Sequence, residues 1–213
     1  MTTTPSDQQV TTRIESMQPA HAPAVARLHA ATITEGFLLQ LGPRFLASLY
    51  RGIAADDACC VWVAVTTGQV TGFCAYARDV RGMYRRILRR RWLRLGLASL
   101  PYTLNPFTVK ETFDTLRYPA KQAYANLPPA ELLAIGVDAA ARGTGAGRRL
   151  LERAVQQAAR DGCSEIKVLA GARLEGANRF YLACGFAKRA EIMQHGEVLN
   201  VYVRSTSGCA TDA

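Results

Sequence analysis

The sequence predicts an α+β fold with helices layered on a central sheet. Three observations carry this. Residues 59–65 (CCVWVAV) and 70–77 (VTGFCAYA) are apolar, β-branched runs joined by the tight turn TTGQ, the pattern of a strand pair. Residues 43–53 place Phe45, Leu46, Leu49, Tyr50 and Ile53 on one face of a helix, with Pro43 in its first turn. Residues 131–170 read as strand, glycine loop, helix, strand, a β-α-β unit.

The remaining elements follow in order. RIESM (13–17) is a short first strand, and Pro19 to Ile33 carries Val25, Leu28, Thr32 and Ile33 at helical spacing. Gly72 inside the second hairpin strand marks a bend or a bulge. ELLAIGV (131–137) is a buried strand, DAAARGTGAG (138–147) a loop, and 148–160 a helix with Leu150, Leu151, Ala154, Val155, Ala158 and Ala159 on one side. Gly162 follows that helix where a left-handed residue ends it. EIKVLA (165–170) is a strand. A helix over about 175–184 is closed by Gly185, and 186–193 and 197–203 form a hairpin around His195-Gly196. No internal repeat interrupts this order.

The chain of 213 residues suits one domain carrying an insertion: a core over 13–204, an inserted basic helical region at about 78–128, and weakly ordered tails at 1–12 and 205–213. An apolar fraction of 49% and a charged fraction of 20% suit a globular chain with its own core. The six cysteines form no C-x-x-C pair and read as free thiols in a reducing cytoplasm. The three histidines are far apart, which argues against a zinc site; no metal is expected. Residues 1–12 lack the basic start and apolar stretch of a signal peptide. No apolar run approaches the roughly 18 residues of a membrane span.

The informative motif is Arg142-Gly143-Thr144-Gly145-Ala146-Gly147, between an apolar strand and an amphipathic helix. Glycines permit positive φ and let a ligand approach the backbone. The first N–H groups of the helix lack intrahelical acceptors, and the dipole there favours anions. Such a loop cradles a phosphate or pyrophosphate. A nucleoside-triphosphate loop is excluded, because Arg148-Arg149 stand where lysine and a hydroxyl residue are required. A dinucleotide fingerprint is excluded, because counting from Gly143 its last glycine falls on Arg148. The remaining pattern, [RQ]-x-x-G-x-[GA] for coenzyme A, is matched by Arg142, Gly145 and Gly147.

Downstream lies Ala177-Asn178-Arg179-Phe180-Tyr181-Leu182-Ala183-Cys184-Gly185-Phe186. With the glycine loop, this run resembles the A-x-x-F-Y-x-x-x-G-F segment of the GCN5-related N-acetyltransferase (GNAT) superfamily. The resemblance is close over 131–204, covers 13–77 in element order only, and leaves out 78–128. It implies the GNAT fold, a mixed twisted sheet in which the strands 132–137 and 166–170 run parallel and then splay. It implies acetyl-CoA as co-substrate and transfer of its acetyl group to a primary amine of a small molecule or protein. Pantetheine would pair with Ile135, Gly136 and Val137. The pyrophosphate would rest on Arg142, Gly143, Thr144, Gly145, Ala146, Gly147 and Arg148, and Asn178 would touch the pantetheine arm.

Tyr181 matches the family's general acid, which protonates the leaving thiolate; the other reading is a core tyrosine packed on Phe186. Glu131, at the start of the coenzyme strand, is a candidate base, or a solvated strand end. Two departures bear on the acceptor. The glutamate that some members place twelve residues before the tyrosine is Leu169 here, and the asparagine often found seven before it is Leu174.

Residues 78–94 hold eight arginines and one aspartate, net +7 of the chain's +9. Met83, Ile87 and Leu88, with Trp92 and Leu95, fall roughly on one helical face. This admits a solvated arginine face over a packed stripe, an entrance for an acidic acceptor, or contact with an anionic membrane through Arg81–Arg94. Nucleic acid is disfavoured. Two functions compete with catalysis: an acyl-CoA-binding sensor without chemistry, and a membrane-peripheral interaction protein.

Overall fold

The computed structural model describes residues 11–33, 41–86, 89, 126–194 and 196–208. One seven-stranded sheet organises them: β1 (Thr12–Ser16), β2 (Cys59–Thr66), β3 (Gln69–Ala77), β4 (Glu131–Val137), β5 (Glu165–Gly171), β6 (Ala187–Gln194) and β7 (Glu197–Ser205). Their order across the sheet is β1-β2-β3-β4-β5-β7-β6. Only the central β4–β5 pair is parallel; the other five pairs are antiparallel. This is the mixed sheet expected from the sequence.

Helices cover both faces. α1 (Ala22–Thr32) and α2 (Gly42–Ala54) pack on one side, and their Val25, Leu28, Leu46, Leu49, Tyr50 and Ile53 meet Val61, Val63, Phe73 and Ala75 from the sheet. α3 (Ala146–Arg160) lies on the other, where Leu150, Leu151, Ala154, Val155 and Ala158 meet Cys74, Tyr76, Leu132 and Ile166. The alternation Phe73, Cys74, Ala75, Tyr76 between the two cores is the period-two pattern of a strand buried on both faces. α4 (Glu175–Ala183) completes the second side. A helical segment at 80–86, with Arg89 also helical, opens the basic region and packs Val80 and Met83 into the first core.

Several boundaries move by a residue or two. α3 begins at Ala146 rather than 148, because Gly145 at φ +81° turns the chain into the helix earlier. β1 starts at Thr12, paired with Thr66, one residue inside the stretch read as tail. β7 runs through Ser205, paired with Glu165, and Thr206 beyond it is buried. The bulge anticipated at Gly72 falls beside it: Ala64 pairs with Gly72 and Val65 with Val70, leaving Thr71 as the extra residue. Ile87, Leu88, Trp92, Leu95 and most of the 78–128 insertion lie outside the described residues.

Candidate functional site

The site begins with a fork in the sheet. β4 and β5 pair only at Glu131–Lys167 and Leu132–Val168. Beyond that point each strand keeps its outer neighbour, β4 as far as Val137–Gly72 and β5 as far as Gly171–Leu199, while the inner edges part. The cause is local. Ala75 pairs with Ala134 and Tyr76 with Leu132, so Leu133 is an extra residue in β4 at the point of divergence. A bulge of this kind bends its strand and increases its twist. Leu133, Ala134, Ile135 and Val137 are consequently only half-buried although they sit in mid-sheet. Backbone groups on such an edge require partners, and an extended chain carrying amides can supply them.

Gly136 is fixed in this edge by its neighbours. A Cβ there would stand 2.3 Å from the Thr32 hydroxyl oxygen of α1 and 2.6 Å from the Phe73 ring. The absence of a side chain lets the last turn of α1 lie directly on the splayed strand.

The glycine loop follows at the open end. The Asp138 carboxylate accepts from the Ala140 N–H at 3.0 Å and sets a single turn over Ala139–Ala141. The Thr144 hydroxyl donates to the Ala141 carbonyl at 2.8 Å. Gly143 and Gly145 both have positive φ, and among the described residues nothing lies within 4 Å of where their Cβ atoms would be. Among those residues the space over the loop is therefore open, and the backbone there suits glycine. Gly145 offers α3 no side-chain cap, and no acidic residue lies in the helix's first turn. The leading N–H groups and the positive helix end thus remain available to an anion. Arg142 and Arg148 flank them, exposed, and are steadied by the Val137 carbonyl at 3.4 Å and the Ala183 carbonyl at 2.9 Å. These features fit a pyrophosphate, and the free strand edge fits the pantetheine arm of coenzyme A.

Tyr181 of α4 is buried, with its ring 5.5 Å from Phe180, 5.9 Å from Phe186 and 6.0 Å from Tyr202. Burial pushes its phenol well above the ordinary range, with smaller contributions from Cys74 and Cys184, so it stays protonated at neutral pH. Among the described residues its hydroxyl has no hydrogen-bond partner. Packing on Phe186 and an uncommitted, protonated hydroxyl are both present.

Asn178 is buried, and its side chain is engaged within the protein. Its Nδ2 donates to the carbonyls of Gly171 at 2.9 Å and Leu174 at 2.7 Å. Its Oδ1 accepts from Asn200 at 2.8 Å and Tyr202 at 2.7 Å. With two donors and two lone pairs engaged, it is a knot joining α4 to β5 and β7, and it fixes the helix that carries Tyr181.

Glu131 stands at the closed end of the fork and is 8% exposed, not a solvated strand end. Lys167, its partner in the parallel ladder, places Nζ 3.2 Å from the carboxylate and also donates to the Pro128 carbonyl. Both side chains point to the α1–α2 face, since Leu132, Ile166 and Val168 belong to the opposite core. Burial, and to a smaller extent the Glu131 charge, raise the phenol of Tyr84 in segment 80–86 above its ordinary range. The fork therefore separates two candidate groups: Tyr181 belongs to the α3–α4 side and Glu131 to the α1–α2 side.

Lys167 was the signal passed over in the sequence, a charged residue in the middle of the apolar run EIKVLA. His29 is another group the sequence left unassigned. It is buried on α1, its Nδ1 lies 2.6 Å from the Tyr50 hydroxyl, and its ring stacks on Phe73. Burial lowers its pKa from 6.5 to about 4, so it is neutral at pH 7. No group of three or more metal-ligating side chains occurs among the described residues.

Residues 115–186 match the model of the Acetyltransferase (GNAT) family. No curated protein matches the chain. Among solved structures, the chain is similar to SsHAT at 18% identity and a TM-score of 0.69, over 92% of this chain and 99% of that one. It is similar to the ribosomal-protein-S18-alanine N-acetyltransferase of Escherichia coli at 12% identity and a TM-score of 0.59, over 95% and 99%. It is similar to yncA of Salmonella typhimurium, solved with its cofactor acetyl-CoA, at 16% identity and a TM-score of 0.59, over 95% and 98%. At these identities the likeness is one of fold, and the fold is that of GNAT acetyltransferases.

Proposed function

We propose that this chain, a GNAT-fold protein carrying a GNAT acetyltransferase segment, transfers the acetyl group of acetyl-CoA to a primary amine by direct attack. The observation that carries the reading is the fork with its glycine loop: a free strand edge leading to a run of open, uncapped amides at a helix N-terminus. Ile135, Gly136 and Val137 hold the pantetheine arm through their backbone. The amides from Arg142 through Gly143, Thr144, Gly145, Ala146 and Gly147 to Arg148 hold the pyrophosphate.

Bound acetyl-CoA supplies the electrophilic thioester. The chain's own groups do the rest. The amine nitrogen bonds to the acyl carbon as the carbon–sulfur bond breaks. A strand N–H beside the Leu133 bulge stabilises the carbonyl oxygen as it gains charge. Tyr181, whose phenol is protonated at neutral pH, gives its proton to the departing sulfur. The amine's surplus proton passes to Glu131, directly or through water, on the face opposite Tyr181. Asn178 acts by position, anchoring α4.

Release of free thiol in the presence of an amine panel tests the reading. Acceptor-dependent release is expected; acetyl-CoA binding with no turnover for any amine would favour a non-catalytic acyl-CoA sensor.

A further inference from the structure

The coenzyme site leaves the arginines of the 80–86 segment unused. Asp79 caps this segment, accepting from the Arg81 and Gly82 N–H groups at 3.0 Å each. Its apolar residues turn inward: Val80 is 4% and Met83 1% exposed, and Tyr84 packs against the same core. Arg86 also turns inward and makes a bidentate pair with Asp56 at 2.7 and 2.9 Å. The other arginines do not. Arg81 and Arg85 are exposed and four residues apart, so they lie one helical turn from each other, about 6 Å along the axis, and the helical Arg89 is exposed as well. Among the described residues no carboxylate pairs with any of them.

Like charges at this spacing oppose helix formation, and an anion bound along Arg81 and Arg85 would relieve that repulsion. The position of the segment says which. The Val80 N–H reaches the Pro129 carbonyl at 3.5 Å, and the adjacent Pro128 carbonyl receives Lys167, the partner of Glu131. The start of the segment that carries these arginines therefore lies beside the closed end of the fork, on the face of Glu131.

We infer that Arg81, Arg85 and Arg89 form a docking rail for an acceptor whose amine is carried by a phosphate or diphosphate ester. This rests on the acetyl-transfer reading and names its acceptor class. A guanidinium fork matches two oxygens of a phosphate, and neighbouring forks one helical turn apart suit a group with several charged oxygens rather than one carboxylate. A membrane surface fits less well. A helix lying on lipid buries an apolar face in it, and here Val80, Met83 and Tyr84 are committed to the protein core.

The test uses the full-length protein saturated with acetyl-CoA, so that the glycine loop is filled. Inorganic pyrophosphate is then titrated in calorimetrically. Binding is expected in the unaltered protein, weakened tenfold or more in Arg81→Glu/Arg85→Glu and by an intermediate factor in Arg81→Gln/Arg85→Gln. Absence of binding, or equal binding in both variants, overturns the rail. Phosphatidylserine vesicles form a second arm: variant-sensitive vesicle binding without pyrophosphate binding replaces the acceptor by a membrane. Failure of acetyl-CoA to bind in the first step counts against the coenzyme reading instead, and the two failures are thereby distinguished.

Discussion

Replacing Gly145 by alanine separates backbone conformation from steric filling in the glycine loop. Gly145 sits at φ +81°, and a Cβ there meets no atom within 4 Å. The cost of the substitution is therefore conformational. Holding an L-residue in the left-handed region costs roughly 1–2 kcal/mol, partly offset by about 0.4–1 kcal/mol from a stiffer unfolded chain. A net loss near 1 kcal/mol lowers the melting temperature of a chain this size by about 2–4 °C. If the residue relaxes to negative φ, the amides of Ala146 to Arg148 turn away from their common target. A ligand at a hundred times its Kd stabilises by about 2.7 kcal/mol, or roughly 5–10 °C here. Thermal melts with and without acetyl-CoA should show that shift in the parent and less than half of it in Gly145→Ala. Gly147→Ala is the contrast. Its φ is not left-handed, and its Cβ meets Val137 and Phe180 at the ordinary distances of 3.5 and 3.6 Å. Alanine in a helix gains roughly 0.5–1 kcal/mol over glycine, so this variant should melt slightly higher and keep its response to acetyl-CoA. A full response in Gly145→Ala, or an equal loss in both, would refute the reasoning.

Other expectations follow from the same geometry. Tyr181→Phe should lower kcat by roughly 100-fold or more with little change in stability or in acetyl-CoA affinity, since the hydroxyl has no hydrogen-bond partner among the described residues; parallel kinetics and melts decide it, and equal rates remove Tyr181 from the mechanism. Glu131→Gln leaves Lys167 buried opposite a neutral group and should cost roughly 3–5 kcal/mol in urea denaturation, whereas Glu131→Gln/Lys167→Met should cost less than the sum of the single changes; simple additivity would deny the coupling. His29 binds its proton less readily folded than unfolded. Its contribution to stability is therefore complete above pH 6.5 and is lost as pH falls toward about 4. That amounts to roughly 3 kcal/mol, and His29→Gln should flatten this part of the stability profile; an unchanged slope would show that His29 titrates normally.

Much of this site was legible in the sequence because its parts are local. A glycine-rich turn between an apolar strand and an amphipathic helix specifies backbone conformation within six residues, and the structure returns Gly143 and Gly145 at positive φ with α3 starting at Ala146. The helix stripe Phe45 to Ile53 and the strand runs 59–65 and 70–77 likewise carry their own periodicity. What escaped the sequence depends on contacts between distant residues. Glu131 becomes buried because Lys167, thirty-six positions later, is its ladder partner. Asn178 is used up by Asn200 and Tyr202 from β7, which no local pattern foretells. The bulge at Leu133, which opens the fork, exists only relative to Ala75 and Tyr76 of the neighbouring strand. The tight seat of Gly136 likewise depends on Thr32 and Phe73, both distant in sequence.

The direct measurement is an acetyl-CoA titration followed by amide NMR of the whole protein. Shifts concentrated at Gly143 to Arg148 and at Ile135 to Val137, saturating together, are expected if those amides grip the coenzyme. Saturable binding that leaves both groups unmoved while other amides shift would contradict it.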